Sequence, residues 1–336
     1  MKLQERIEIL EKTGRYMLGE TGAEDAAAWS AAQEQAYRQN NWFLPAFQQQ
    51  AITALATRFL RKEALEKWAA HYHLDDNIQP RTVGIVMAGN IPLVGFHDFL
   101  AVFVSGHRQV CKLSSKDGVL LKHLVEQLIR LNPAVAERVQ FAEQLKGCDA
   151  YIATGSDNSA RYFDYYFGRY PSIIRKNRTS VALLSGEETA AELEALADDI
   201  MLYFGLGCRN VTQVYVPRGY DFVPLIDALR KYRFFFDHHK YRSNYDYQLA
   251  IYIMNNKFYM TNDCIVLVEN PSPFSPIGSL HYQYYDDAAT ERSALQANEQ
   301  IQAVTGAGAL PFGQLQQPGL MDYADGVDVM QFLLRL

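Results

Sequence analysis

The chain has 336 residues, of which 49% are hydrophobic, and its 32 basic and 38 acidic side chains give a net charge of −6. This composition predicts a protein with a substantial core, and the length suits two closely packed domains. There is no long basic run to follow a phosphate backbone, which argues against nucleic acid as a partner. Residues 1–11 lack the unbroken apolar stretch of a secretory signal, so we expect a cytoplasmic protein.

Neither a membrane span nor a metal centre is indicated. The most apolar stretch, residues 93–104, is shorter than the roughly 20 residues that cross a bilayer, and it predicts a buried helix. The four cysteines lie far apart without a Cys-x-x-Cys pair, which argues against a zinc site or a disulfide framework. His71 and His73 lack a third ligand and are interpreted as part of a solvated helix end.

Helices are predicted over the first eighty residues, where Ala51, Leu55 and Phe59 recur at helical spacing. From Arg81 onwards, short β-rich runs alternate with helical ones, which is typical of a parallel sheet with crossover helices. The predicted strands are residues 83–87, 109–113, 151–154, 180–184, 212–216 and 264–268. The predicted helices between them are residues 119–131, 189–203 and 220–232. The fold class is therefore α/β.

Two later segments are open to a functional interpretation. Residues 232–260 are dense in aromatic side chains, which indicates either an aromatic wall for an apolar substrate or ordinary core and interface packing, the more common role of such rings. The tail, residues 327–336, ends in a mostly apolar run. We expect it to add a strand to a neighbouring subunit.

Cys208 is the first candidate for chemistry. It follows Tyr-Phe-Gly-Leu-Gly between a predicted helix and a predicted strand, where glycines allow backbone turns and close approach of a ligand. A thiolate attacks carbonyl carbon well, and the neighbouring Arg209 would raise the thiolate fraction. The alternative is a small buried hydrophobic residue, as most free cysteines are. Cys111 and Cys264 lie in apolar strand patterns and are predicted core residues, whereas Cys148 is predicted to lie in a loop.

Asn90 is the second candidate, at the end of the run Val-Gly-Ile-Val-Met-Ala-Gly-Asn-Ile-Pro, residues 83–92. Ligands of open α/β sheets bind beyond such strand ends, and the Asn90 amide could donate to a developing oxyanion. The alternative is an asparagine that only closes its own turn. Two further runs, Gly-His-Arg-Gln-Val-Cys-Lys-Leu-Ser-Ser at residues 106–115 and Thr-Gly-Ser at residues 154–156, suggest nucleotide contacts, although Gly-x-Gly-x-x-Gly is absent.

In this order, the pieces resemble the aldehyde dehydrogenase superfamily and, within it, the LuxC-like acyl-CoA reductases. The resemblance covers residues 81–221. The superfamily's Pro-Trp-Asn-Phe-Pro turn is similar to Gly-Asn-Ile-Pro at residues 89–92, and its Gly-Asn-x-Val-Val-x-Lys-Pro strand is similar to residues 106–112. Its Phe-Thr-Gly-Ser turn is similar to Ala-Thr-Gly-Ser at residues 153–156, and its Gly-Gln-x-Cys loop is similar to Gly-Leu-Gly-Cys at residues 205–208.

The resemblance implies a Rossmann-type NAD(P)-binding domain with N-terminal helices over residues 1–176, a catalytic domain over residues 177–325 and a tail over residues 326–336, with the chemistry in a cleft between the domains. It implies Cys208 as nucleophile and Asn90 as oxyanion donor. The cofactor-binding residues that it implies are Ala88, Gly89, Lys112, Ser114, Thr154, Gly155 and Ser156. The implied cofactor is NADPH, with NADH as the alternative.

Three segments depart from the superfamily pattern. Where hydrolytic members carry Glu-Leu-Gly-Gly to activate water, residues 175–178 are Arg-Lys-Asn-Arg, which favours a thioester route over hydrolysis. These basic residues indicate a solvated face or a site for phosphates. The family's Glu-x-Phe-Gly-Pro is similar to Ser-Pro-Phe-Ser-Pro at residues 272–276, without the acid. Pro-Phe-Gly-Gln at residues 311–314 loosely resembles the closing Phe-Gly loop.

The resulting hypothesis is NAD(P)H-dependent reduction of an acyl-CoA, or of an acyl-protein thioester, to an aldehyde through a thioester on Cys208. The alternatives are an acyl-phosphate reductase, a CoA-acylating aldehyde dehydrogenase, and a non-catalytic homologue that binds an acyl-transfer partner. The resemblance also implies a long-chain acyl substrate, an acyl-activating partner protein and a homo-oligomer.

Overall fold

Strands and helices alternate along most of the chain, which confirms the predicted α/β class. The computed structural model describes residues 1–336. The chain divides into two units, of which the first contains Met1–Asn177 and Gly319–Leu336 and the second contains Arg178–Pro318. None of the helices combines the length and the apolarity that crossing a bilayer requires.

A five-stranded parallel sheet forms the centre of the first unit. Its strands are β1 (Thr82–Val86), β2 (Arg108–Lys112), β3 (Val139–Phe141), β4 (Ala150–Thr154) and β5 (Ser172–Arg175). Its helices are α1 (Leu3–Met17), α2 (Ala23–Gln39), α3 (Pro45–Ala54), α4 (Lys62–His71), α5 (Phe96–Ser105), α6 (Val119–Leu131) and α7 (Asp157–Phe167). The strand order is β3-β2-β1-β4-β5, so the carboxyl ends of β2, β1 and β4 lie side by side.

Helix α6 is the crossover helix predicted over residues 119–131, and α5 overlaps the stretch 93–104, for which a buried helix is predicted. Helix α6 buries Leu120, Leu124 and Leu128 on one stripe, as the 3.6-residue period requires. Helix α5 is buried along nearly its whole length, and this burial includes Asp98. A carboxylate removed from water needs a partner, and the partner of Asp98 belongs to the candidate site described below.

The second unit is built on a six-stranded sheet in the order β11-β6-β7-β10-β9-β8. Its strands are β6 (Thr179–Leu183), β7 (Val211–Pro217), β8 (Tyr259–Thr261), β9 (Val266–Glu269), β10 (Ser279–Tyr285) and β11 (Ile301–Gly306). Its helices are α8 (Ala190–Met201), α9 (Val223–Leu229), α10 (His239–Met254) and α11 (Ala288–Ala297). Only the edge strand β8 is antiparallel to its neighbour. The connection from α8 to β7 carries Cys208.

The tail differs from its prediction, because it forms a helix, α12 (Val329–Leu333), instead of a strand. Asp328 caps this helix by accepting a hydrogen bond from the Gln331 N–H at 2.8 Å. Val329, Met330 and Leu333 are buried in the core of the first unit. Met330 and Leu333 are three positions apart, which places them on the same face of the helix. The apolar run therefore serves the core of its own chain.

The aromatic segment belongs in part to the core. Tyr232, Phe235, Tyr241 and Tyr245 are buried, whereas a few other rings of the segment remain exposed. The ring centroid of Phe235 lies 4.4 Å from that of Phe204, which is buried at the start of the connection to Cys208. The core interpretation is therefore confirmed for the buried rings, and these rings support the backbone that leads to Cys208.

Candidate active site

The predicted cofactor residues of the first unit lie at the carboxyl ends of three neighbouring strands. Val86 on β1 pairs with Lys112 on β2 and with Ala153 on β4. The N–H of Met87 extends this pairing by donating to the Lys112 carbonyl at 3.0 Å. Because parallel strands end at the same edge of a sheet, the segments that follow are neighbours in space, as a ligand site at such an edge requires. These segments contain Ala88 and Gly89, Ser114, and Thr154 to Ser156.

Gly89 allows the segments after β1 and β2 to touch. A Cβ atom on Gly89 would lie 2.5 Å from both the Cβ and the Oγ of Ser114. Side-chain carbon atoms do not approach so closely, so only glycine fits at this position. Gly89 and Ser114, predicted separately, are thus brought into contact.

Asp117 holds the turn that follows Asn90. Its Oδ2 accepts a hydrogen bond from the N–H of Leu93 at 2.8 Å, and Leu93 has a left-handed backbone with φ of 57°. Burial raises the pKa of Asp117 to about 7, in spite of the backbone N–H groups that bind its carboxylate. Asn90 itself is half-buried, in a bend directly before this turn. The backbone around the predicted oxyanion donor is therefore anchored from the segment after β2.

A cavity of about 300 Å³ opens beside the ends of β2 and β3. Its lining includes Ser114, Ser115, Gly118, Lys122, Phe141 and Glu143. Ser114 is the predicted cofactor residue among them, and the Ser115 carbonyl is fixed by a hydrogen bond from Gln39 Nε2 at 3.0 Å. Lys122 was not predicted, because on α6 it appears only as one of several polar residues off the apolar stripe.

The turn after β4 has structural roles of its own. Ser156 is the N-cap of α7, where its Oγ accepts the Ser159 N–H at 3.4 Å. Gly155 passes so close to α7 that a Cβ atom would lie 2.8 Å from the ring of Phe163. Thr154 Oγ1 accepts a hydrogen bond from Arg175 Nη1 at 3.3 Å. These contacts explain the residue types, and contact of the three residues with a cofactor stays a prediction.

Arg175 is a buried member of an ion pair, so its prediction as a solvated or phosphate-binding residue is wrong. Its Nη1 and Nη2 donate to the two carboxylate oxygens of Asp98 at 2.5 and 2.9 Å. The side chains are only 5% and 9% exposed. Pairing neutralises the guanidinium and consumes both carboxylate oxygens. Lys176, in contrast, is exposed, as expected of a solvated face.

Cys208 is distinguished from the other cysteines by its exposure. Cys111, Cys148 and Cys264 are buried, with 0%, 3% and 0% of their surfaces exposed, whereas Cys208 is partly exposed. Burial raises the pKa of Cys264 to about 11 and also raises the pKa of Cys111 and of Cys148. These three side chains therefore stay thiols at neutral pH, and the core prediction for Cys111 and Cys264 is confirmed.

The backbone before Cys208 adopts an uncommon conformation. Tyr203, Phe204 and Gly205 are consecutive and left-handed, with φ values of 54°, 56° and 74°. A left-handed conformation costs a non-glycine residue about 1–3 kcal/mol, and such strain persists only where the surroundings hold it. Tyr203 and Phe204 are buried, which supplies part of that restraint.

Two residues that the sequence analysis did not single out contact the backbone beside Cys208. Asn210 Oδ1 accepts the Gly207 N–H at 2.8 Å, and Ser180 Oγ donates to the Cys208 carbonyl at 3.1 Å. An asparagine two positions after a candidate nucleophile was the available signal. Its partners are backbone atoms, however, which only the folded chain brings within reach.

In two further loops of the second unit, backbone atoms form hydrogen bonds with polar side chains. In the segment 272–276, the Ser272 carbonyl accepts a hydrogen bond from His281 Nδ1 at 2.7 Å, and the Pro273 carbonyl accepts one from Thr212 Oγ1. In the segment that follows residue 310, the Gly313 N–H donates to Asp199 Oδ2 at 2.6 Å. Burial raises the pKa of Asp199 to about 7.

Solved structures of aldehyde dehydrogenases share this fold. Aldehyde dehydrogenase 21 from Physcomitrella patens, in complex with the product succinate, has a TM-score of 0.66 at 10% identity over 91% of this chain and 74% of that chain. An NADP-dependent enzyme of E. coli has a TM-score of 0.66 at 12% identity over 91% and 73%. An NAD+ complex of an aldehyde dehydrogenase from Bacillus cereus has a TM-score of 0.65 at 12% identity over 91% and 72%. The protein is therefore of the aldehyde dehydrogenase fold.

The family model for LuxC, acyl-CoA reductase, matches residues 1–224, which is more than half of the chain. The chain therefore belongs to the LuxC acyl-CoA reductase family, as the motifs predicted. It is an oxidoreductase that acts at the level of acyl groups and aldehydes. A search of curated protein sequences returned no match.

Proposed function

We propose that this enzyme reduces an acyl-CoA thioester to an aldehyde with NADPH, and that Cys208 carries the acyl group as a thioester. The observation that carries the proposal is the placement of Cys208. It is the one cysteine that is not buried, and it follows a strained, well-packed backbone turn. Strain of this kind concentrates at functional sites, and a partly exposed cysteine is accessible to a substrate.

The Cys208 thiolate attacks the acyl carbon, and the developing oxyanion accepts hydrogen bonds from the Asn90 side-chain amide and the Cys208 backbone N–H. The bond from the acyl carbon to the CoA sulfur then breaks, and CoA leaves as a thiolate that takes a proton from solvent. The nicotinamide cofactor, when bound, supplies the hydride that reduces the acyl group. The same donors hold the oxygen until the thiohemiacetal collapses, which releases the aldehyde and restores the Cys208 thiolate.

The first unit offers a suitable place for the cofactor. Sheets that bind NAD commonly place an acidic side chain near the ribose 2′-hydroxyl, whereas a basic side chain accommodates the 2′-phosphate of NADP. The cavity beside β2 contains Lys122 and two serine residues, which favours a 2′-phosphate. Glu143 also lines this cavity and gives NADH a hydrogen-bond acceptor, so both cofactors belong in the test. Lys112, at the end of β2, is proposed to contact the adenosine ribose.

The Arg175–Asp98 pair supports a thioester route over hydrolysis. Where hydrolytic relatives carry a glutamate, this chain has Arg175, and the carboxylate beside it is fully engaged. A general base must be free to take a proton, and Asp98 is not. An acyl-enzyme without such a base survives long enough to be reduced.

The acyl donor is proposed to be acyl-CoA or an acyl-protein thioester, and the latter would come from an acyl-activating partner protein. A homo-oligomer and a cytoplasmic location are proposed on the same family resemblance. Acyl-CoA and acyl-protein thioesters present the same reacting carbonyl group. The two kinds of acyl donor can therefore be compared directly in one assay.

The experiment mixes purified protein with NADPH or NADH and a panel of acyl-CoAs, and it follows cofactor absorbance while aldehyde is trapped. We expect turnover that is faster with NADPH and absent in Cys208→Ala. Acyl phosphates, and acyl-CoA formation from aldehyde in the reverse direction, form parallel arms. Turnover with acyl phosphate alone would replace the thioester proposal. No turnover in any arm, with native folding confirmed, would favour the non-catalytic homologue.

A further inference from the structure

Asn210 joins the end of α8 to the turn that carries Cys208. Its side chain is wholly buried. The Nδ2 atom donates to the carbonyl oxygens of Asp199 at 3.0 Å and Leu202 at 2.8 Å, and it also donates to the carbonyl oxygen of Ile200 at 3.4 Å. These carbonyls lie where an α-helix runs out of its own hydrogen-bond donors. The side-chain amide of Asn210 therefore serves as the C-terminal cap of α8.

The same side chain closes the turn around Cys208. Its Oδ1 accepts the Gly207 N–H at 2.8 Å, while its own backbone N–H donates to the Gly207 carbonyl at 3.0 Å. Cys208 and Arg209 are thus the two central residues of a turn that Asn210 closes twice. A turn closed through both backbone and side chain has few alternative conformations.

Strand β6 fixes the turn from the other side. Ser180 Oγ donates to the Cys208 carbonyl at 3.1 Å, and the Ser180 N–H donates to the Asn210 carbonyl at 3.1 Å. Ser180 is fully buried in the sheet, so the sheet restricts its movement and thereby the position of the turn. The Cys208 carbonyl is therefore held by a residue outside the turn, whereas the Gly207 carbonyl is held by Asn210 within it.

We infer that Asn210 is a positioning residue for Cys208, assisted by Ser180. The inference rests on the proposed role of Cys208 as nucleophile. Asn210 does not touch the reacting atoms. It sets the direction of the Cys208 side chain and of the Cys208 N–H against the strained backbone of Tyr203 and Phe204. A misplacement of about 1 Å at a reacting atom can cost roughly 100-fold in rate.

Asn262 is a matched control in the same unit. It is also buried, its Oδ1 accepts the N–H groups of Cys264 and Ile265 at 3.1 and 3.2 Å, and its Nδ2 donates to the Ile226 carbonyl at 2.7 Å. Loss of either asparagine leaves buried backbone groups without partners, so both alanine variants are expected to lose stability. Only Asn210 contacts the turn of Cys208.

The experiment compares Asn210→Ala with Asn262→Ala at a temperature where both are folded. We expect Asn210→Ala to lower kcat for acyl-CoA reduction by about 100-fold, with the KM for NADPH within twofold of the wild-type value. Hydrogen exchange in residues 206–210 is expected to become at least tenfold faster. Asn262→Ala is expected to keep kcat within threefold and to change exchange only near its own contacts.

A milder pair keeps the inference testable if Asn210→Ala does not fold. Ser180→Ala removes one hydrogen bond to the Cys208 carbonyl and is expected to lower kcat by about fivefold to tenfold. Its control is Ser279→Ala, which removes a buried serine whose Oγ accepts a hydrogen bond from Tyr252 at 3.3 Å, and we expect no loss of kcat.

Three results would overturn the inference. The first is a kcat that stays within threefold of wild type in Asn210→Ala, and the second is an equal loss in the Asn262 control. The third is exchange at residues 206–210 that does not respond to Asn210. Failure of the proposed function has a different signature, because wild-type protein and Cys208→Ala would then behave alike with every acyl donor.

Discussion

Several of the polar side chains that shape the candidate site bind backbone groups. Asp117 binds the turn after Asn90, Ser156 caps α7, and Asn210 closes the turn around Cys208. Each satisfies N–H groups that would otherwise be buried without partners or left exposed at a helix end. Asn90, Lys112, Lys122 and Cys208 are among the residues whose side chains are proposed to meet substrate or cofactor.

Asn90→Ala is expected to lower kcat by roughly 100-fold or more, because removing one oxyanion donor has effects of this size. Steady-state kinetics with acyl-CoA and NADPH measure the change. The KM for NADPH is expected to stay near its wild-type value. An unchanged rate would remove Asn90 from the mechanism.

Two lysines beside β2 are expected to act on different parts of the cofactor. Lys112→Met is expected to raise the KM for both NADPH and NADH, since the adenosine ribose is common to both. Lys122→Met is expected to raise the KM for NADPH by about tenfold or more and to leave that for NADH unchanged, because it loses a charge-assisted contact with the 2′-phosphate. Equal effects of Lys122→Met on both cofactors would place the 2′-phosphate elsewhere.

At the scale of elements, the apolar pattern predicts the long crossover segments best. Helix α6 begins and ends at the predicted residues, 119 and 131. Strands β3, β5 and β8, which span three or four residues, were missed because so short a run carries almost no period. Strand β10 was missed because His281 and Gln283 interrupt its apolar residues. The tail was mistaken for a strand because a short apolar run is compatible with either element.

The ion pair between Asp98 on α5 and Arg175 on β5 can be tested with a double-mutant cycle. Asp98→Leu or Arg175→Met alone is expected to lower the free energy of unfolding by about 3–5 kcal/mol, since each leaves an uncompensated buried charge. The double variant is expected to be more stable than either single variant. Chemical denaturation measures all three, and additive losses would contradict a coupled buried pair.

At the scale of the whole molecule, each unit contains one buried aspartate whose pKa is raised to about 7, Asp117 in the first and Asp199 in the second. The ordinary pKa of an aspartate side chain is 3.8, so between that pH and about 7 the unfolded chain loses a proton that the folded chain keeps. Stability therefore falls as pH rises through this window, by up to about 1.4 kcal/mol per pH unit for each group.

Asp117→Asn isolates one of these groups, because the amide oxygen can still accept the Leu93 N–H. The difference in the free energy of unfolding between this variant and wild type is expected to grow in favour of the variant from pH 4 to pH 7 and to level off above about pH 7. Denaturation at a series of pH values measures the difference. A difference independent of pH would contradict a raised pKa at Asp117.

The sequence could predict the fold class, the family and the difference between Cys208 and the other cysteines, because these depend on the order of local motifs. It could not predict the roles of Asp117, Arg175 and Asn210. Each acts on a group that is distant in the chain or belongs to the backbone, and the partner of a buried polar side chain is defined only once the chain has folded. Arg175 shows this best, since its run of basic neighbours indicated solvent while its partner, Asp98, lies 77 positions earlier.

The central claim is that Cys208 carries the acyl group. Its most direct test mixes wild-type protein with an acyl-CoA in the absence of cofactor, followed by intact mass measurement and peptide mapping. The account predicts one added acyl group, located on Cys208, absent from Cys208→Ala and removed when NADPH is supplied. An acyl group on another residue, or equal labelling of wild type and Cys208→Ala, would contradict it.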